Sequence, residues 1–165
     1  SAASDVYKRQ TNLFPSDPPK FVVMEARAAD CLYRGALAGD GAPRIVEGDL
    51  QTIMAGLACG EPNTISWDIL RNHVSAFVSC PDWVSARGMR MLGVPVKGDP
   101  VVISGESGAV GMGLLAALME TDVYRDLREA LELDRFSQVL MFSTEGNTDP
   151  MKFRKVLWDG EYPTV

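Results

Sequence analysis

Val101-Val102-Ile103-Ser104-Gly105-Glu106-Ser107-Gly108-Ala109-Val110-Gly111-Met112-Gly113 is the stretch on which the fold turns. A β-branched triplet runs into a serine and glycine turn, and the turn opens a segment of small helix-compatible residues. Such a run reads as a buried strand feeding a helix. Glycines at the turn let the backbone come close to a ligand, and amides exposed at a helix start favour an anionic or polar group. The glycine order is G-x-x-G-x-G, which differs from the dinucleotide fingerprint G-x-G-x-x-G.

The pattern on either side repeats the alternation. Further strands are expected at Phe21-Val22-Val23-Met24-Glu25, at Arg44-Ile45-Val46 and over residues 138–142. Helices are expected over residues 28–38, closed by Gly39-Asp40-Gly41, and over 81–92, with proline near the first turn and Gly93 at the end. Trp67, Leu70, Val74 and Phe77 share one helical stripe, so a helix begins at an N-cap of Thr64 or Ser66 and runs through Phe77. Residues 107–119, 123–131 and 151–157 complete the set. Strands alternating with helices of this length imply an α/β fold, a mostly parallel sheet with helices on both faces.

The 165 residues, 46% hydrophobic and 23% charged, are enough for one core, either one domain or a piece of a larger one. Net charge is −6, from 22 acidic against 16 basic side chains that are scattered, so no basic face is offered to nucleic acid. No apolar run approaches the roughly 18 residues needed to span a bilayer, and the N-terminus lacks signal-peptide order. A cytoplasmic protein without nucleic-acid or membrane partners is expected. Cys31, Cys59 and Cys80 form no CxxC pair and match no zinc spacing, so free thiols are expected. Asp5-Val6-Tyr7-Lys8-Arg9-Gln10 matches the translation of a sequencing adapter. Residues 1–10 are therefore read as a non-native segment that packs against nothing, and 11–165 as the protein proper.

Two other segments could carry chemistry. Phe142-Ser143-Thr144-Glu145-Gly146-Asn147-Thr148-Asp149 follows the last apolar strand, where open α/β sheets hold their ligands. Thr52-Ile53-Met54-Ala55-Gly56-Leu57-Ala58-Cys59-Gly60-Glu61-Pro62 offers small side chains against which a flat group can pack. His73, the single histidine, borders an apolar stripe and reads as structural.

Taken in order, these segments resemble the C-terminal half of the pyridoxal-phosphate enzymes of the tryptophan-synthase-β fold group (fold type II). Val23-Met24-Glu25-Ala26-Arg27-Ala28-Ala29-Asp30-Cys31 is similar to the Val-Glu-Pro-x-x-Ala-Asp stretch of serine and threonine dehydratases. Thr52 to Ala58 is similar to their Thr-Ile-Ala-x-Gly-Leu-Ala, and Gly105 to Ala109 to their Glu-x-x-Gly-Ala. The wording of all three chemical segments resembles the diaminopropionate ammonia-lyase family most closely, over about residues 20–159.

That resemblance implies a homodimeric lyase that removes ammonia from 2,3-diaminopropionate by α,β-elimination, giving pyruvate. It implies pyridoxal 5'-phosphate as cofactor, with Ser143 or its neighbour Thr144 facing the pyridine nitrogen. Gly56 and Ala55 would line the ring edge, and Glu106 and Ser107 would fix the turn beside it. The lysine that forms the imine, the base and the phosphate loop lie upstream in the family. No catalytic residue is therefore nominated, and the piece alone is expected to be inactive. Some dehydratases hold a cation through a glutamate, an alanine carbonyl and an aspartate. Here Glu25 and Ala29 fit, but Cys31 stands at the third position and suits a hard cation poorly, so no metal is expected. The resemblance leaves three other readings open: a serine or threonine dehydratase, a nucleotide-binding α/β module, and a non-catalytic α/β ligand-binding piece. Cys31 and Cys59 flank the same region, which leaves a disulfide between them open as well.

Overall fold

Residues 8, 9 and 12–165 are described by the structure, a computed structural model. The expectation for residues 1–10 lies outside the described residues, apart from the exposed Lys8 and Arg9. The chain divides into two units. One comprises the described residues up to Gln51 together with Ala58–Ser79, and the other Thr52–Leu57 with Cys80–Val165.

In the first unit, β1 (Val22–Ala26) and β2 (Ala76–Cys80) form a two-stranded sheet. The amide of Ser75, just before β2, donates to the carbonyl of Phe21, just before β1, at 2.8 Å. The strands meet start to start, so they run parallel. A 3-10 turn at Arg27–Ala29 leads into helix α1 (Cys31–Ala38), which Gly39 ends in the left-handed region at φ +68°. Helix α2 (Thr64–His73) is capped by Asn63, whose side chain accepts from the Ser66 amide at 2.9 Å, one residue before the nearer of the two caps expected from sequence. Its buried Trp67 lies against Gly35 of α1, where an added Cβ would come within 2.8 Å of the indole. The indole nitrogen donates to the Gly41 carbonyl at 2.9 Å.

The expected helix through Phe77 stops at His73. Val74 turns out to ψ 135°, and the next residues become β2. Spacing misleads here because helix and strand feed one cluster, with the Trp67 and Phe77 rings 6.0 Å apart. Val74 and Val78 favour the extended form, and the strand registers with β1. Arg44-Ile45-Val46 is not a strand either. Val46 makes a single pairing, its amide donating to the Gly60 carbonyl at 2.8 Å, in a close approach that a Cβ on Gly60 would block.

In the second unit, α3 (Asp82–Gly93) crosses α4 (Glu106–Glu120) with their backbones in contact. A Cβ on Gly88 would fall 2.0 Å from the Ala109 carbonyl oxygen, and one on Gly113 would fall 1.8 Å from that of Val84. Two glycines thus set the helix separation. Arg128, from α5 (Arg125–Ala130), donates to the Leu118 carbonyl near the end of α4 at 3.1 Å. Helix α6 (Pro150–Leu157) is capped by Asp149 and starts on proline. Past α6 the chain is held by Arg90 of α3, whose guanidinium donates to the carbonyls of Val156, Glu161 and Tyr162 at 3.0–3.1 Å.

Residues 101–103 and 138–142, expected as strands, have no ladder partners among the described residues. Val102 donates instead to the Leu92 carbonyl at the end of α3, at 2.9 Å. Val101, Ile103, Leu140 and Phe142 are exposed. A β-rich sequence forms a strand only where another strand takes up its amides and carbonyls. The fold remains α/β, and no helix among the described residues is long and apolar enough to cross a membrane.

Candidate functional site

The start of α4 gathers most of the residues singled out from sequence, and all of them lie in the second unit. Ser85 of α3, fully buried, donates to the Glu106 carbonyl and fixes the first turn. The glycines of the turn do separate jobs. Gly113 serves the crossing with α3, whereas Gly105 and Gly108 face residues 143–146.

Those residues fold over the start of α4. The Gly105 amide donates to the Glu145 carbonyl at 3.1 Å, and the Ser107 amide donates to Glu145 Oε1 at 2.5 Å. The helix thus receives its anion from within the chain, and Glu145 does for α4 what a capping carboxylate does at any helix start. Ser143 Oγ sits 2.7 Å from Ser104 Oγ and 3.2 Å from the Glu145 carbonyl. Gly108 makes this possible, since a Cβ there would lie 2.6 Å from Ser104 Oγ and 3.0 Å from Ser143 Oγ.

Gly56 joins from the other side. Its amide donates to Ser107 Oγ at 3.0 Å, and a Cβ on it would meet that oxygen at 2.9 Å. The segment is held from below. Ile53 and Met54 are buried, Thr52 Oγ1 and the Ile53 amide donate to the Asp82 carboxylate at the head of α3, and a 3-10 turn over Ala55–Leu57 lifts Ala55 and Gly56 to the surface.

Ser143, Ser107 and Gly56 are therefore brought together, with Ala55 beside Gly56. Thr144 is exposed on the same loop and has none of the bonds that tie Ser143. Glu106 is buried, and its Oε1 has no hydrogen-bond partner among the described residues. Sequence reading gave no role to Ser104 or Glu145, although both stand inside the quoted motifs. Only the fold sets residues 104 and 143, 39 apart, at hydrogen-bond distance.

In the first unit, Glu25 accepts from the amides of Leu32 and Tyr33 at 3.0 and 2.7 Å and from the Cys31 thiol at 3.5 Å. Burial is the largest influence on its carboxyl and pushes it above the ordinary glutamate value of 4.5. The Cys31 thiol is pushed up to about 12, first by burial and then by the Glu25 charge. Cys31, Cys59 and Cys80 are free thiols. The described residues contain no group of three or more side chains that could hold a metal. His73 is the last residue of α2 and exposed.

No protein-family model matches the chain. The diaminopropionate ammonia-lyase of Salmonella typhimurium is 48% identical over 156 residues, which cover 94% of this chain and 37% of that protein. This chain thus spans little more than a third of that relative's length. The crystal structure of the selenomethionine holo form of diaminopropionate ammonia lyase from Escherichia coli superposes with a TM-score of 0.77 at 38% identity, covering 96% of this chain and 46% of that one. The same enzyme in complex with an aminoacrylate-PLP azomethine reaction intermediate gives a TM-score of 0.74 at 37% identity, covering 96% and 47%. Maize serine racemase, at 23% identity and a TM-score of 0.68 over 98% of this chain and 44% of its own, speaks for the fold alone. By sequence and by fold, this chain matches a segment of the diaminopropionate ammonia-lyases, within the tryptophan-synthase-β-like fold.

Proposed function

We propose that the turn at residues 104–108, the loop at 143–146 and Gly56 hold the pyridine side of pyridoxal 5'-phosphate in an enzyme that converts 2,3-diaminopropionate to pyruvate and ammonia. The observation that carries this reading is the hydroxyl pair Ser104 and Ser143 above Gly108, with Gly56 bound to Ser107 next to it. The chemistry of the donors fits the group. Gly56 and Gly108 leave room that a Cβ would fill, the hydroxyls are neutral, and Glu106 keeps a side-chain oxygen without a partner among the described residues. Glu145 already takes up the helix amides, so the uncharged ring end suits this place better than a phosphate.

When bound, the cofactor supplies an electron sink for the carbanion left by loss of the substrate's α-proton. Ser143 would hold the ring nitrogen by one neutral hydrogen bond. A hydroxyl, unlike a carboxylate, does not stabilise a positive charge on that nitrogen, which favours loss of the β-amino group over return of the proton. Ala55 and Gly56 would flank the ring, and Glu106 with Ser107 would set the turn. The lysine and the base belong, on the family pattern, to sequence upstream of this segment, as do the groups that choose the leaving group. A cytoplasmic homodimer is the assembly that goes with this reading.

The test uses the full-length enzyme carrying this segment, with pyruvate release from 2,3-diaminopropionate followed through a coupled dehydrogenase. Ser143→Ala should weaken cofactor binding by about 1 kcal/mol, roughly fivefold. Ser143→Asp should slow elimination by favouring a protonated ring. Unchanged cofactor affinity and turnover in both variants would remove Ser143 from the role and bring Thr144 forward. Pyruvate from serine but not from diaminopropionate would make the enzyme a dehydratase.

A further inference from the structure

The two hydroxyls at the site carry two protons, and their neighbours limit how those protons can be shared. Ser104 is 1% exposed, so water does not serve it. Its oxygen reaches Ser143 Oγ at 2.7 Å and the Gly105 carbonyl at 3.3 Å. Ser143 reaches Ser104 and, at 3.2 Å, the Glu145 carbonyl. Carbonyls only accept, and each hydroxyl donates once. Two arrangements follow. In one, Ser104 donates to Ser143, whose own proton is directed at Glu145 or at a ligand. In the other, Ser143 donates to Ser104, which donates to Gly105, and Ser143 can then offer a ligand only a lone pair.

We propose that Ser104 is a positioning residue for Ser143: by donating to it, Ser104 commits Ser143's single proton to an unprotonated ring nitrogen. The carbonyl bonds of the two arrangements are nearly equal in length, 3.2 and 3.3 Å, so the protein alone sets little preference. A ligand atom that only accepts decides it, because only the first arrangement gives that atom a donor. A hydroxyl that receives a hydrogen bond is also a stronger donor, so the chain from Ser104 through Ser143 is cooperative. Gly108 keeps both oxygens on one side of the helix start, where any Cβ would push them apart. This inference rests on the assignment of Ser143 to the ring nitrogen.

The experiment loads the full-length holoenzyme with pyridoxal phosphate labelled with nitrogen-15 in the ring and reads the nitrogen chemical shift, which reports hydrogen bonding directly and needs no turnover. Ser143→Ala should move the shift away from the parent value. Ser104→Ala should move it the same way by a smaller amount and weaken cofactor binding about two- to fivefold, as for a weakened rather than a lost hydrogen bond. The Ser104→Ala, Ser143→Ala double variant should match Ser143→Ala, since Ser104 acts only through Ser143. Ser104→Cys, a poorer donor in a similar volume, should fall between parent and Ser104→Ala. A shift that Ser143→Ala moves and Ser104→Ala leaves in place would overturn the relay and spare the Ser143 assignment. So would a Ser104→Cys shift beyond that of Ser104→Ala, or additive effects in the double variant. A shift untouched by Ser143→Ala would overturn both.

Discussion

Gly108→Ala sets two well-separated effects against each other. Gly108 lies in the first turn of α4, where alanine should gain up to about 1 kcal/mol over glycine from helix propensity. Against that stands the space. The new methyl would lie 2.6 Å from Ser104 Oγ, 3.0 Å from Ser143 Oγ and 3.3 Å from Ser143 Cα. The first contact is too short to survive. Ser104 must rotate, which breaks its 2.7 Å bond to Ser143 and leaves a buried hydroxyl without that partner, a cost of about 1–3 kcal/mol. Shifting residues 143–146 adds to it. The balance is a net loss of about 1–2 kcal/mol once the propensity gain is subtracted. In urea unfolding followed by far-ultraviolet circular dichroism, with a slope of about 2 kcal/mol per molar, the midpoint should fall by about 0.5–1 M. The same substitution in a Ser104→Ala background meets a smaller obstacle, so the loss should shrink to near zero or reverse. A stabilising Gly108→Ala in the parent chain, or an equal loss in both backgrounds, would refute the reasoning, because the cost would not come from the hydroxyl.

Arg90→Met should cost about 2–4 kcal/mol, since three carbonyls lose charge-assisted bonds, and hydrogen exchange should rise in residues 156–162. Unchanged exchange there would show that the guanidinium does not hold the segment after α6. Glu25 has its carboxyl raised above 4.5 in the folded chain, so its contribution is greatest below that value and is lost as pH rises through the raised one. Urea midpoints from pH 4 to 7 should show the advantage of the parent over Glu25→Gln shrinking towards neutrality; an advantage that grew would mean that the two amide bonds outweigh burial. Cys59 is exposed and Cys31 is buried with its thiol held near 12, so a maleimide at pH 7.5 should label Cys59 first and reach Cys31 only on unfolding, as peptide mass spectrometry would record.

Helix positions were legible wherever a cap or a glycine stood at the right offset. Gly39 ends α1, Gly93 ends α3, and the small residues after Gly105 open α4. Strands were less so. Residues 101–103 and 138–142 have strand composition, but pairing depends on a neighbour that local sequence does not record. The helix expected through Phe77 failed for a related reason, because a period of three and four is satisfied by a helix followed by a strand that buries into the same cluster. The family resemblance nominated Ser143, Ser107 and Gly56, and the fold brings these three together. Ser104 and Glu145 were not nominated, because their roles depend on a contact between residues 39 and 38 positions apart.

The glycine-to-glycine crossing of α3 and α4 makes the site a matter of alignment between two rods. Asp82 at the head of α3 carries residues 52–53, and α4 carries Ser104 and Ser107 at its own head, so one crossing references both sides. Gly113 lies seven residues along α4 from Glu106, about 10 Å at 1.5 Å per residue. A methyl inserted at that pivot would act as a wedge with the helix as lever arm, and the displacement would appear where Gly56 meets Ser107. Helix content could survive such a change while the two sides no longer met, so damage at Gly88 or Gly113 would show as a lost contact between Gly56 and Ser107 rather than as a loss of helix.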